Sequence, residues 1–360
     1  MRIRNLVVLI PLLTLLLLTA CGGGSSSSNS APSFNNASLS GTFFTASLDQ
    51  SGGIISEFGD TTFDGKGNGT FTGTYSNLSG ANQAESDSGA YSVSSNGLFA
   101  LTGTSGSVTN CGLSADTNTA VCASVSAKTY QSIGVLVKAG SSGYSNTSLS
   151  GTYYSASLDQ TAGFTAEFGS VSFDGKGNGT FTGTMGSSIG ANQTDNDSGT
   201  YAVNPTGSFT LTGTSGSVTN CGLSADTNTA VCSTVNNVAY RNISVMVKAG
   251  SAVYSNASLI GAYYMVEGDT NSGFNSRISN VTFNGQGSFT AAGTLNNATA
   301  ANQSSSSSGS YSVNANGTFT VTPSGGNVVQ CGISADTNTL VCATVSSTAD
   351  QNIIVMVRIP

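Results

Sequence analysis

The chain contains no histidine and no tryptophan, and only five of its 360 residues are proline. Without histidine no Ser-His-Asp or Cys-His nucleophile can be assembled, and a metal site loses its commonest nitrogen ligand. Charged residues make up 8% of the chain, with a formal net charge of −7. So sparse and acidic a surface argues against nucleic acid as a partner. What is abundant is glycine, at 46 residues, with serine, threonine and asparagine. None of the Gly-rich loops opens a helix, so none is a phosphate loop.

One unit is written three times. Cys111, Cys221 and Cys331 are spaced by 110 residues, as are Gly41, Gly151 and Gly261, and Phe63, Phe173 and Phe283. The stretches 101–122 and 211–232 are identical, as are 63–74 and 173–184. A solenoid unit runs roughly 20–50 residues, whereas about 110 suits a self-contained domain. Three tandem β-domains are expected over 36–145, 146–255 and 256–360, with short linkers at 140–146 and 250–256.

In the second unit, alternating runs at 151–158, 164–173, 179–185, 199–204, 208–214, 217–224, 229–235 and 242–249 are set off by Gly, Asn and Asp. That pattern reads as eight strands joined by hairpin turns. Ile243, Val245 and Val247 alternate on the last run, and Phe209 and Leu211 on the fifth, as strands with one face on a core do. The expected fold is all-β: three antiparallel meanders, each an eight-stranded up-and-down barrel, because closure removes the two open edges. Such a barrel is wide enough to be filled by side chains or to hold one small ligand. A β-sandwich is the alternative, although the antibody-type pattern of distant cysteines around a tryptophan is missing.

At the amino end, Arg2 and Arg4 precede an apolar run that ends in Leu18-Thr19-Ala20-Cys21. The run is about 16 residues long, contains Pro11, and falls short of the roughly 20 that cross a bilayer. A basic start, an apolar stretch and a small-residue cleavage site read as an export signal over 1–20. The four residues ending in Cys21 resemble the lipobox of bacterial lipoproteins. The resemblance implies cleavage before Cys21, lipid on Cys21 and membrane attachment through that lipid. Gly22 in place of an aspartate resembles lipoproteins sorted to the outer membrane, so outer membrane or cell surface is the expected location. Residues 21–35 form a Gly/Ser tether. With residues 1–20 removed, eight basic residues face 17 acidic ones, giving −4, −3 and −2 over the three units.

The six remaining cysteines form the pairs Cys111/Cys122, Cys221/Cys232 and Cys331/Cys342, each framing an Ala-Asp-Thr-Asn-Thr turn. A hairpin of that length sets its two cysteines opposite each other, and an oxidising compartment closes them as disulfides. Each closed loop contributes roughly 2–3 kcal/mol. A redox motif would space its cysteines by two.

Two carboxylate patterns invite a site. Asp64 with Asn68, and Asp174 with Asn178, sit in Gly-rich loops that resemble oxygen-ligand calcium loops. Lys66 stands where a second acidic ligand belongs, and Asn284 replaces the aspartate in the third unit, so the plain reading is a hairpin turn. Asp116, Asp226 and Asp336 recur in all three units, but no second carboxylate recurs with them as a glycosidase needs. A turn-capping role is expected for them, with no cofactor and no catalytic residue. One charge swap stands out. Ser47 and Ser157 become Glu267, while Glu57 and Glu167 become Arg277. A hairpin centred on Ser272 would set Glu267 and Arg277 opposite each other as an ion pair peculiar to the third unit.

Leu39-Ser40-Gly41-Thr42-Phe43-Phe44, repeated as Leu149-Ser150-Gly151-Thr152-Tyr153-Tyr154, resembles the first strand of avidins and lipocalins. The resemblance implies a barrel. Biotin binding does not carry over, because avidins wall that site with tryptophan. The function expected is non-enzymatic display or adhesion at the envelope, with a surface glycan or protein as partner. The alternatives are a carrier of a small apolar ligand in each barrel and, behind it, a glycan-acting hydrolase.

Overall fold

The structure, a computed structural model, describes residues 33–359 apart from Ser105 and Ser272. Cys21, the export signal and the tether up to residue 32 lie outside the described residues. The described chain is all-β and closes into three antiparallel eight-stranded barrels. No helix among the described residues is long and apolar enough to cross a membrane.

In the first barrel the strands are β1 (Ser40–Gln50), β2 (Ile54–Asp64), β3 (Asn68–Asn77), β4 (Gly80–Val93), β5 (Leu98–Gly103), β6 (Val108–Leu113), β7 (Thr119–Ala127) and β8 (Tyr130–Lys138). Each pairs with the next in sequence, and β8 returns to pair with β1 from Phe43↔Lys138 to Gln50↔Gln131. That last pairing decides for the barrel over the sandwich. The second barrel runs from β9 (Ser150–Gln160) to β16 (Arg241–Lys248), and the third from β17 (Ile260–Asp269) to β24 (Asn352–Arg358). A short 3-10 turn precedes each, at Asn36–Ser38, Asn146–Ser148 and Asn256–Ser258.

The hairpin between β2 and β3 shows how the local sequence makes its turn. Gly65 and Gly67 take φ of 71° and 119°, a region open to glycine at little cost. Asp64 Oδ1 accepts from the backbone N–H groups of Lys66, Gly67 and Asn68 at 2.7–2.9 Å.

One end of each barrel is filled by its own aromatic side chains. Phe43 and Phe63 meet edge-to-face at 5.5 Å, Phe63 and Tyr91 at 5.1 Å, and the Tyr91 hydroxyl donates to the Leu39 carbonyl at 2.8 Å. Tyr153, Phe173 and Tyr201, and Tyr263, Phe283 and Tyr311, repeat the arrangement. Each disulfide packs against this core, joining cysteines directly opposite in register: Cys111–Cys122, Cys221–Cys232 and Cys331–Cys342.

The barrels are not separate bodies. The largest apolar cluster lies between them, built from outward-facing residues of all three. On β1 the odd residue Phe43 joins the barrel interior, while Phe44, Ala46 and Leu48 join this shared core. The alternation of Ile243, Val245 and Val247 is therefore real, but its apolar face is the outer one, buried against the neighbouring barrels. Phe209 points the other way, into its own barrel.

The joints repeat around a closed ring. The Ala225 N–H donates to the Lys138 carbonyl, Ala335 to Lys248, and Ala115 to Arg358, at 2.8–2.9 Å. Barrel 1 thus grips barrel 2, barrel 2 grips barrel 3, and barrel 3 grips barrel 1. A head-to-tail contact that closes after a whole number of units gives a ring instead of a filament. At each joint an aromatic side chain packs directly on a glycine. A Cβ at Gly222 would overlap Phe44, at Gly332 Tyr154, and at Gly112 Tyr264.

Candidate functional site

Asp64 and Asp174 are occupied by their own turns. Besides the three backbone donors, Asp64 Oδ2 accepts from Asn68 Nδ2 at 2.6 Å, and Asp174 with Asn178 is the same. These hydrogen bonds, from Asn68 first, hold the Asp64 carboxyl down to about 2.

Asp116 caps its turn through Ser114 and the Asn118 N–H, at 2.5 and 3.0 Å. It also does something the sequence does not show. Asn118 Nδ2 donates to Asp226 at 3.2 Å, Asn228 to Asp336 at 3.2 Å, and Asn338 to Asp116 at 3.0 Å. The three carboxylates, one from each barrel, come within 4.8 Å of one another. Their oxygens are engaged by the asparagines of the neighbouring barrels, so the cluster is an interlock of the ring.

The groups with unsettled chemistry lie inside the barrels, at the end away from the aromatic plug. In barrel 1, β1 contributes Ser47 and Asp49, β2 Glu57, β4 Glu85, and β8 Tyr130 and Ser132. These residues line a cavity of about 230 Å³ whose other walls include Phe63, Phe71, Leu101 and Leu136. The Ser47 hydroxyl lies 2.9 Å from Glu57 Oε2 and 3.2 Å from Asp49 Oδ2. Having one proton, it can donate to only one of them at a time. Asp49 is 1% exposed, and its Oδ1 has no hydrogen-bond partner.

Burial pushes the Asp49 carboxyl up to about 6. Burial and then the charge of Asp49 raise Glu57 well above the carboxylate range, and burial with the charge of Glu57 takes Glu85 to about 7. The charge of Asp49, then burial, keeps the Tyr130 hydroxyl protonated. Among the described residues, no lysine or arginine lines the cavity.

Barrels 2 and 3 answer the same problem from their own chains. In barrel 2, Tyr240 donates to Asp159 Oδ1 at 3.0 Å, while Ser157 serves Asp159 Oδ2 and Glu167 at 3.1 and 3.3 Å. The cavity of about 190 Å³ that remains is lined by Tyr240 but by neither Asp159 nor Glu167. In barrel 3 the register pairs Glu267 with Arg277, and Arg277 donates to Glu267 Oε2 at 2.7 Å. The ion pair expected from the charge swap is present, although Ser272 at its turn is outside the described residues. Glu267 is buried, at 7% exposed, and Arg277 is half-buried. Asn352 completes Glu267 at 2.9 Å, and both ends of the pair line a cavity of about 220 Å³.

No known protein family matches the chain, and no curated protein matches it. Among solved structures it is similar to isotype 1 transferrin binding protein B of Neisseria meningitidis, at 9% identity and a TM-score of 0.28. That match spans 85% of this chain but only 66% of the other. It is also similar to a protein of unknown function of the DUF3598 family from Nostoc punctiforme, at 7% identity and a TM-score of 0.22. This second match covers 59% of this chain and 96% of the other. Likenesses this low carry no functional argument.

Proposed function

We propose that the chain is an exported, lipid-anchored binding scaffold of the bacterial envelope, without catalytic activity. The observation that carries the reading is the closure of three barrels around one shared apolar core, behind a segment that ends its export signal in Leu18-Thr19-Ala20-Cys21. Such a body presents a broad, fixed surface. Its outer strands expose small polar side chains such as Thr70, Thr72, Ser86, Ser88 and Ser92. Lipid on Cys21 would hold that surface at the outer membrane, with the tether letting it reach a glycan or protein partner. Membrane fractionation tests the anchor. A Cys21→Ser variant is expected to leave the membrane fraction or to accumulate unprocessed. A processed Ser variant that still sediments with membranes would overturn the reading.

The carrier reading gains from the cavities and is reshaped by them. One end of each barrel is plugged by Phe and Tyr, and carboxyls are among the residues that line the cavity left in barrel 1. That lining disfavours a purely apolar ligand.

A further inference from the structure

We propose that the acid-lined end of barrel 1 is a binding site for a small organic cation, a protonated amine carrying a short apolar body, with Asp49 and Glu57 as its counter-charges. The proposal concerns ligand chemistry and stands whether or not Cys21 carries lipid.

Three independent observations lead there. The first is the orphaned Asp49 Oδ1, buried on a residue that lines an open cavity of about 230 Å³. A buried acceptor without a donor destabilises the fold. The second is the comparison among the repeats. At the position of Tyr130, Tyr240 bonds Asp159 Oδ1 in barrel 2. At the position of Glu57, barrel 3 carries Arg277 and pairs it with a carboxylate. Barrel 3 therefore holds a guanidinium from its own wall in the region where the charged groups of barrel 1 are all carboxyls. Asp350 Oδ1 in barrel 3 also lacks a partner, but it shares its cavity with Arg277. The third is the rest of the lining. Phe63, Phe71, Leu101 and Leu136 offer an apolar wall beside the carboxyls, suited to the body of an amine and to its charge over an aromatic face.

A bare metal ion fits less well. Among the described residues, the group of three carboxylates that converges closely enough to share one ion is Asp116, Asp226 and Asp336. A cavity on the order of 150 Å³ takes a benzene-sized molecule, so about 230 Å³ admits one bearing a short aminoalkyl arm.

The test is titration calorimetry of the mature chain in detergent with phenethylamine, its neutral isostere phenethyl alcohol, and calcium chloride. Saturable binding of the amine at one site is expected, at least tenfold tighter than the alcohol. Glu57→Arg, which copies barrel 3, should abolish it, and Glu57→Gln should weaken it at least tenfold. Melting curves check that both variants fold, and Glu57→Gln decides if Glu57→Arg does not. The titratable groups facing the cavity are Asp49, Glu57, Glu85, Asp87 and Tyr130. The amine stays protonated from pH 5 to 8, as an alkylammonium does. Because the carboxyls must ionise to hold it, affinity should rise at least tenfold over that range. No binding by the amine, equal binding by the alcohol, binding indifferent to both Glu57 variants, or calcium binding lost with Glu57→Gln would each overturn the proposal.

Discussion

At the scale of single residues, burial lifts the carboxyls inside the barrels. Asp49 is lifted from 3.8 to about 6, Glu85 from 4.5 to about 7, and Glu267 from 4.5 to about 7 even beside Arg277. A carboxyl held protonated by the fold binds its proton more tightly folded than unfolded. The stability it lends is complete below about pH 4 and is lost as the pH rises through 6 and 7. Without ligand, the melting temperature should therefore fall between pH 4.5 and pH 8. Glu57→Gln should flatten the profile in a thermal melt series, and an unchanged or rising profile in the parent would show these groups to be ordinary. Little of this was legible in the sequence. Asp49, Glu57, Glu85 and Tyr130 lie on four strands, and only closure of the barrel brings them together. The one signal available was the exchange of Ser47 and Glu57 for Glu267 and Arg277, which located one side of the site because cross-strand partners in a hairpin are close in sequence.

At the scale of the element, the strands most deeply buried are those with two apolar faces. On β1, one face serves the barrel interior and the other the shared core. Alternation announced the strands, because a period of two survives whichever side is buried. It could not say which side, since Ile243, Val245 and Val247 would read the same on either. The disulfide hairpins were legible because their register is fixed by a turn only a few residues long. The glycines opposite the joints were not legible, because the ring that covers each comes from another repeat. Gly222 is the clearest case. A methyl group there collides with Phe44, and overpacking of this kind costs about 1–3 kcal/mol. Gly222→Ala should lower the melting temperature by several degrees while leaving the Cys221–Cys232 disulfide formed, as measured by calorimetry and free-thiol assay. A neutral effect would mean that the barrels are not seated on each other as described.

At the scale of the molecule, the period of 110 residues showed three copies but not their closure. A ring needs each copy to carry both halves of one contact, and those halves sit far apart in sequence: Phe44 with Gly222, Tyr154 with Gly332, Tyr264 with Gly112. The Asp–Asn interlock is of the same kind, with each donor roughly one repeat, or two, from its acceptor. Nothing in a single repeat marks its partner, because the repeats are nearly alike and the partner is another copy.

Closure also separates integrity from covalent continuity. The linker between barrels 1 and 2 exposes Ser141, Ser142 and Gly143, the sort of small polar tip that proteases nick. The joint between barrels 3 and 1 is already held without any linker at all, by the same contacts as its neighbours. A chain cleaved once at 141–143 should therefore remain a single particle. Its two fragments should co-elute on gel filtration and part only in denaturant, and fragments that separate under native conditions would show the linker to be what holds those barrels together. A protein built this way tolerates being cut between its barrels, because its wholeness is kept by mutual grip around an axis and not by the thread that strings the barrels together.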